Sequence, residues 1–230
     1  MSMNSKRLAI GLAALIFGCL AFTVADAEPL TSHPQIQMQP IKDVEPFNSG
    51  DTYKVQVFFK FSCPVCRQYH LPLANWGATL PKPFKIEFEP ILEADASGQG
   101  ISKDSSMGMV MFWSMRDAGT IAQQTAFAEE AYGLVQDDNN GANPSAWMKA
   151  VSDAGVYRSN FTKGFEHERN NMVDRSARQL HYMPTVTPTM VICGKWIITP
   201  DSANGDENLF FKLANGLVSK CMLENGLHKG

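Results

Sequence analysis

The sequence lacks several features that define common classes of protein. Its 230 residues contain no run of basic residues and carry a net charge of −3, so a function in nucleic-acid binding is disfavoured. Low-complexity sequence is scarce and 44% of the residues are apolar, so neither a disordered nor a coiled-coil chain is indicated. A chain of this length can bury a core, and one domain, or one domain with an insertion, is expected.

The one long apolar run stands at the N-terminus. Lys6 and Arg7 precede 18 residues from Leu8 to Ala25, and Val24-Ala25-Asp26-Ala27 closes the segment. This pattern is typical of a secretory signal, so residues 1–27 are predicted to be a signal peptide cleaved after Ala27. An uncleaved anchor stays open as an alternative, because about 18 apolar residues are close to the minimum that spans a bilayer. Either way, the body of the protein is expected to be exported.

Cysteine is scarce as well. Four cysteines follow the N-terminal segment, at Cys63, Cys66, Cys193 and Cys221. An even number in an exported chain suggests disulfides. Zinc would need a second C-x-x-C or a Cys/His pair, but Cys193 and Cys221 lie far apart and no histidine is within five residues of either. No metal site is therefore predicted.

The stretch that carries chemistry is VQVFFKFSCPVCRQYH, residues 55–70. A pair of cysteines separated by two residues can be a redox dithiol, half of a zinc site or two buried thiols. Residues 53–61 are β-branched and aromatic, which predicts a buried strand. Ser62 is predicted to cap a helix that begins at Cys63-Pro64-Val65-Cys66, and Pro72 is expected to kink this helix.

The remaining pattern predicts an α/β fold with an insertion. Residues 84–92 alternate as a second strand, and a strand-helix-strand order implies a parallel pair. Four helices are expected at residues 105–117, 120–135, 144–155 and 160–182. A hairpin at 187–200 and a helix at 206–224 follow. Residues 28–99 and 182–230 would then form one domain, and residues 100–181 an inserted helical subdomain.

This order of elements resembles the DsbA family of thioredoxin-fold thiol:disulfide oxidoreductases. CPVC after the first strand and VTPTMVICGKW at the hairpin carry the resemblance, together with SAWMKAVSDAGV and NFTKGFEHERNNMVDRSARQL between them. It covers nearly all of the chain after the signal segment. It implies a thioredoxin-like fold, no cofactor and a periplasmic location.

The resemblance also implies roles for individual residues. Cys63 would be the nucleophile and Cys66 the resolving thiol, with Pro64 and Val65 between them. A helix N-terminus stabilises a thiolate at Cys63 through its free N–H groups and its dipole. Thr187-Pro188 matches the family's cis-proline dipeptide, which would present the Thr187 backbone to a bound peptide. An ordinary trans-proline in a turn is the alternative.

Departures from the family pattern concern the acidity of the two thiols. Val57 stands where the fold usually keeps a buried acid, so Cys66 must lose its proton to water or to another group. Glu87 and Glu89 are candidates for that group, although both are expected to face solvent. Val65 stands where well-known members have histidine, and Lys60 offers only partial compensation. A reduction potential between about −120 mV and about −270 mV is therefore predicted.

Cys193 and Cys221 are predicted to form a structural disulfide. A strand of about six residues covers about 20 Å and about 15 helical residues cover about 22 Å, so the last helix returns to the hairpin turn. The alternative is two separate buried thiols. His70 and the segment HERNNMVDRSAR are expected at the surface.

The resemblance implies an oxidase that acts on reduced exported proteins or peptides and is recycled by a DsbB-like membrane quinone reductase. A disulfide isomerase or reductase of the same fold is the alternative. Isomerases usually carry a dimerisation domain ahead of the fold, and only about 27 residues lie between the predicted cleavage site and the first strand, which favours an oxidase and a monomer. A peptide-binding chaperone with incidental cysteines is a third possibility.

Overall fold

A computed structural model describes residues 41–227 of the chain. The predicted signal peptide, residues 1–27, lies outside the described residues. Within residues 41–227, none of the helices has the length and apolar character that crossing a membrane requires.

Five strands form one mixed sheet in the order β1-β5-β4-β2-β3. Their bounds are β1 Lys42–Asp43, β2 Lys54–Phe59, β3 Lys85–Pro90, β4 Thr189–Ile192 and β5 Trp196–Ile198. Strands β2 and β3 are parallel, as predicted, and β4 runs antiparallel to β2 on its other side. The edge strand β1 was not predicted, because a strand of two exposed residues leaves no pattern in the sequence.

Six α-helices complete the described fold. They are α1 Pro64–Gly77, α2 Lys103–Ala118, α3 Ile121–Tyr132, α4 Pro144–Asp153, α5 Arg158–Tyr182 and α6 Glu207–Glu224. Helices α2 to α5 lie between β3 and β4 in the chain, which gives a thioredoxin-like α/β fold with a helical insertion. The division at residues 99/100 and 181/182 stays a prediction. Helix α1 continues beyond Pro72 to Gly77.

Strand β2 lies between β4 and β3 and is buried on both faces. Val55, Val57 and Phe59 belong to the larger core, while Phe58 points to the opposite face and packs with Tyr182 of α5. All four are at most 1% exposed. Complete burial of a side chain of this size contributes about 1.5–3 kcal/mol, so β2 is firmly held where it delivers the chain to Cys63.

The expectation that Glu87 and Glu89 face solvent is wrong. Their alternation along β3 is real, but the face on which they lie is covered by α5 instead of water. Glu89 is 3% exposed and accepts hydrogen bonds from Arg175 Nη1 at 3.0 Å and Trp113 Nε1 at 3.1 Å. Glu87 pairs with Lys54 at 3.3 Å and is largely buried.

The segment HERNNMVDRSAR is likewise not a purely solvated face. Glu168, Arg175 and Arg178 are buried, with exposures of 3%, 6% and 5%. Arg175 Nε donates to Glu168 at 2.6 Å, and Arg178 pairs with the buried Asp51. The sequence pattern suggested that these charged side chains are solvated. They can be buried because each one has a partner of opposite charge.

Candidate active site

The cysteine pair lies where β2 ends and α1 begins. Cys63 is the N-cap residue of α1, and its sulfur accepts a hydrogen bond from the Cys66 N–H at 3.2 Å. Pro64 occupies the first turn, where the missing N–H costs nothing. The expectation that Ser62 is the cap is wrong, since the helix begins one residue later and the Ser62 hydroxyl donates to the Glu93 carboxylate, 2.7 Å from Oε1.

The two thiols differ in environment. Cys66 is 2% exposed, whereas Cys63 is only partly buried, and both are free thiols. The pKa of Cys63 is lowered to about 6, and the largest cause is a hydrogen bond from the Cys66 thiol. Burial acts in the opposite direction and raises the pKa, whereas hydrogen bonds from Thr187 and from the N–H groups of Cys66 and Val65 lower it further. Burial raises the pKa of Cys66 far above its usual range. Near neutral pH, Cys63 is therefore the thiolate and Cys66 the protonated thiol.

The Thr187-Pro188 segment lies directly beside Cys63. The peptide bond between these two residues is cis, and the Thr187 carbonyl accepts a hydrogen bond from the Cys63 thiol at 3.3 Å. The sheet explains this proximity across 124 residues: Phe58 near the end of β2 pairs with Thr189 at the start of antiparallel β4. The residues just before β4 must then lie next to those just after β2.

A turn of the insertion contacts the cysteine loop, and the sequence did not reveal it. Residues Gly133–Asp137 form a π-helical turn after α3. Within it, Gln136 Nε2 donates to the carbonyls of Phe61 at 2.7 Å and Cys63 at 3.2 Å. Asp137 pairs with Arg67 of α1 at 2.8 Å. A polar pair at the end of a predicted helix gives no signal for such long-range contacts.

Neither position 57 nor the two glutamates of β3 provides a carboxylate next to Cys66. Val57 is 1% exposed and apolar. Glu87 and Glu89 belong to the opposite face of the sheet, where they are engaged by basic residues. Lys60 Nζ lies 3.6 Å from the Glu93 carboxylate, so its charge is shared with an acid. Val65 is 42% exposed and adds apolar surface beside Cys63.

The expectation that His70 lies at the surface is wrong. It is 2% exposed, stacks on Phe88 with ring centroids 4.3 Å apart, and has Nδ1 3.2 Å from the Tyr132 hydroxyl. His70 follows Cys66 by four residues, so both project from the same buried face of α1. Burial lowers the pKa of His70 to about 3, which keeps the ring neutral.

The other two cysteines are joined at the opposite end of the sheet. Cys193 follows β4 and Cys221 lies in α6, with an S–S distance of 2.08 Å and Cα atoms 6.6 Å apart. Since β4 runs antiparallel to β2, the end of β4 is remote from the end of β2 that carries Cys63. This disulfide is therefore separate from the dithiol.

No protein-family model and no curated protein matches the chain. Solved structures do match its fold. Pseudomonas aeruginosa DsbA superposes with a TM-score of 0.63 at 20% identity, covering 81% of this chain and 94% of that one. DsbA disulfide interchange protein from Klebsiella pneumoniae gives 0.62 at 13% identity, with 78% and 95% covered.

A DsbA variant from Proteus mirabilis, solved with the non-covalently bound peptide PWATCDS, gives a TM-score of 0.62 at 15% identity, covering 78% of this chain and 95% of that one. At these identities the similarity shows the fold. The chain therefore has the DsbA-like form of the thioredoxin fold, as the motifs predicted.

Proposed function

We propose that this protein is a periplasmic thiol:disulfide oxidoreductase that oxidises cysteine pairs of exported proteins through Cys63 and Cys66. One observation carries the proposal: a partly exposed Cys63 with its pKa lowered to about 6 lies at a helix start, next to a buried Cys66 and the Thr187 carbonyl. A nucleophile with a protected partner is the arrangement that thiol-disulfide exchange requires.

The reaction starts from the Cys63–Cys66 disulfide. A substrate thiolate attacks Cys63 Sγ, a mixed disulfide forms, and Cys66 leaves as a thiolate that takes up a proton. The second substrate thiolate then attacks the substrate sulfur of the mixed disulfide and expels Cys63 as its thiolate. The substrate loses two electrons and gains a disulfide, and the protein becomes the dithiol. Stabilisation of the Cys63 thiolate favours this direction, because it makes Cys63 a good leaving group.

Peptide recognition is proposed at the Thr187-Pro188 segment. The bound peptide in the Proteus mirabilis DsbA structure contains a cysteine, and we transfer to this chain the idea that such peptides bind beside the dithiol. The Thr187 N–H and C=O would pair with the peptide in the manner of an added strand. Reduced exported proteins would be the substrates.

Location and recycling belong to the same proposal. The N-terminal pattern supports export, and the Cys193–Cys221 disulfide is of a kind that persists in oxidising compartments. The electrons would pass to a DsbB-like membrane quinone reductase, and the protein would act as a monomer.

The lowered pKa of Cys63 also bears on oxidising strength. A value of about 6 lies between those of DsbA, about 3.5, and thioredoxin, about 7. This supports a reduction potential between about −120 mV and about −270 mV. Because the value is nearer to that of thioredoxin, an isomerase or reductase is kept as the second candidate function.

Two activity assays on the wild type and on Cys63→Ala test the proposal. Wild-type protein in its disulfide form should oxidise reduced, unfolded ribonuclease, whereas Cys63→Ala should lose all turnover. An isomerase would instead act mainly on ribonuclease with scrambled disulfides. If the wild type has no redox activity and Cys63→Ala still prevents aggregation of unfolded proteins, both the oxidase and the isomerase or reductase functions are refuted and a chaperone is favoured.

Partners can be identified by trapping. Cys66→Ala expressed in the native envelope should accumulate mixed disulfides through Cys63, and mass spectrometry of the trapped proteins should find exported proteins and a membrane quinone reductase. Trapping of cytoplasmic proteins alone would contradict the proposed location.

A further inference from the structure

The loop between β2 and α1, residues 60–63, sets the direction of the Cys63 thiol. Inside the loop, the Cys63 N–H donates to the Lys60 carbonyl at 3.2 Å. From outside, Glu93 accepts from the exposed Ser62 hydroxyl. From the helical insertion, the Gln136 amide nitrogen donates to the carbonyls of Phe61 and Cys63.

Gln136 is suited to bridge these two carbonyls. An amide nitrogen carries two hydrogens in one plane, so it can donate to both acceptors at once. The distances of 2.7 Å to Phe61 O and 3.2 Å to Cys63 O are those of ordinary hydrogen bonds. The two acceptors belong to the Phe61–Ser62 and Cys63–Pro64 peptide groups, so the contact fixes the backbone on both sides of the Ser62–Cys63 peptide bond.

The bond to Cys63 O acts at the first turn of α1. That carbonyl also accepts the Arg67 N–H at 3.2 Å, which is the first bond within the helix. The Cys63 sulfur can accept the Cys66 N–H only while the Cys63 backbone stays extended, at φ −89° and ψ 113°. A group that holds the Cys63 carbonyl thereby holds the thiol in its capping position.

The π-helical turn explains how Gln136 reaches the loop. The Asp138 N–H bonds to the Gly133 carbonyl at 3.0 Å, five residues back, which widens the end of the helical segment. The neighbouring Asp137 pairs with Arg67 on α1, so two consecutive side chains tie this turn to the dithiol helix. Turns of this kind occur often at functional sites.

We propose that Gln136 is a positioning residue for the nucleophile, holding the Phe61–Cys63 backbone so that the Cys63 thiol stays between the start of α1 and Thr187. It acts through the backbone and does not take part in the exchange reaction. The inference rests on the proposed function for its biological meaning, but its test does not require a substrate.

The test compares two glutamine substitutions on the same helical segment. Gln136→Met keeps an unbranched side chain of similar length and removes both donors. Gln124→Met is the matched control, because Gln124 of α3 also bridges two carbonyls, those of Arg116 at 3.3 Å and Gly119 at 3.5 Å, but not in the dithiol loop. The pKa of Cys63 is measured in the reduced proteins from the ultraviolet absorbance of the thiolate.

Gln136→Met is expected to raise the pKa of Cys63 by about one unit, a tenfold change in its acid dissociation constant. The glutathione redox equilibrium should move towards a less oxidising disulfide, while Gln124→Met leaves both quantities unchanged. A folded Gln136→Met protein with the wild-type pKa of Cys63 would overturn the inference, even if its melting temperature falls.

If Gln136→Met does not fold, Gln136→Asn replaces it. This variant keeps the amide but is one methylene shorter, so it should lose at least the longer bond to Cys63 and also raise the pKa. An unchanged pKa in Gln136→Asn would refute the inference. These measurements use the protein alone, so they are independent of the oxidase assay. If the wild type fails the oxidase assay but the Gln136 variants shift the pKa of Cys63, the proposed function is refuted and the positioning role of Gln136 is supported.

Discussion

Replacement of His70 should remove a large part of the acid sensitivity of this protein. His70 is the histidine packed beneath the dithiol, stacked on Phe88 and hydrogen-bonded to Tyr132. Its burial lowers the pKa from 6.5 to about 3. On unfolding, the ring meets water, regains its ordinary pKa and binds a proton at mildly acidic pH.

The sign and the size follow from proton linkage. The folded pKa lies below the unfolded one, so the unfolded chain binds more protons whenever the pH is below about 6.5, and stability falls as the pH decreases from there towards about 3. At about pH 4.5 the cost is about 2–3 kcal/mol. Since a domain is stable by only about 5–15 kcal/mol, this is a substantial loss.

His70→Gln is the variant of choice, because glutamine keeps an acceptor for the Tyr132 hydroxyl but does not titrate. Urea unfolding at several pH values between about 7 and 4.5 gives the free energy of unfolding for each protein. The wild type should lose about 2–3 kcal/mol more than His70→Gln over this interval, whatever their difference at neutral pH.

His181→Gln, a change to an exposed histidine, is the matched control for substitution of a histidine as such. The reasoning would be refuted if the free energy of unfolding fell equally with pH in the wild type and in His70→Gln. That result would mean that His70 is not buried as a neutral ring, or that the unfolded chain protects it equally.

Two further predictions concern stability. Cys193→Ser combined with Cys221→Ser should lower the free energy of unfolding by about 3–4 kcal/mol, because the disulfide closes a loop with a sequence separation of 28. Unfolding in urea without reductant measures this loss, and an unchanged urea midpoint would contradict the prediction. Arg175→Met removes one of the two arginines that pair with both Glu89 and Glu168. Arg116 remains at 3.2 Å and 3.3 Å from them, so the substitution should cost about 1.5–3 kcal/mol. Arg158→Met, at the exposed start of the same helix, is the control, and equal losses in the two variants would argue against the buried ion pairs.

The place of the cysteine pair and the order of elements could be predicted because they depend on neighbours in the sequence. A buried strand, a cysteine pair and a proline in the first turn are local patterns, and they placed Cys63 at the start of a helix. The parallel pairing of β2 with β3 followed from the handedness of a strand-helix-strand unit. The position of the cap was missed by one residue, since Ser62 and Cys63 can each accept a backbone N–H.

The environment of the charged and titratable residues could not be predicted in the same way. Alternation along β3 shows that Glu89 and Phe88 face opposite sides, but not that α5 covers the side of Glu89 and brings Arg175 to it. The helical periodicity shared by Cys66 and His70 puts both on one face, but does not say that Phe88 and Tyr132 close over His70.

Local sequence patterns suffice to place the cysteine pair, to give the α/β order with a helical insertion, and to show which side chains share a face of each element. Tertiary packing, in contrast, buries particular faces, brings Gln136 to the cysteine loop and holds His70 neutral. The physical reason is that propensity and periodicity act over a few residues, whereas burial, ion pairing and pKa depend on groups that folding brings together across 70 or more positions, such as Cys63 and Gln136, separated by 73.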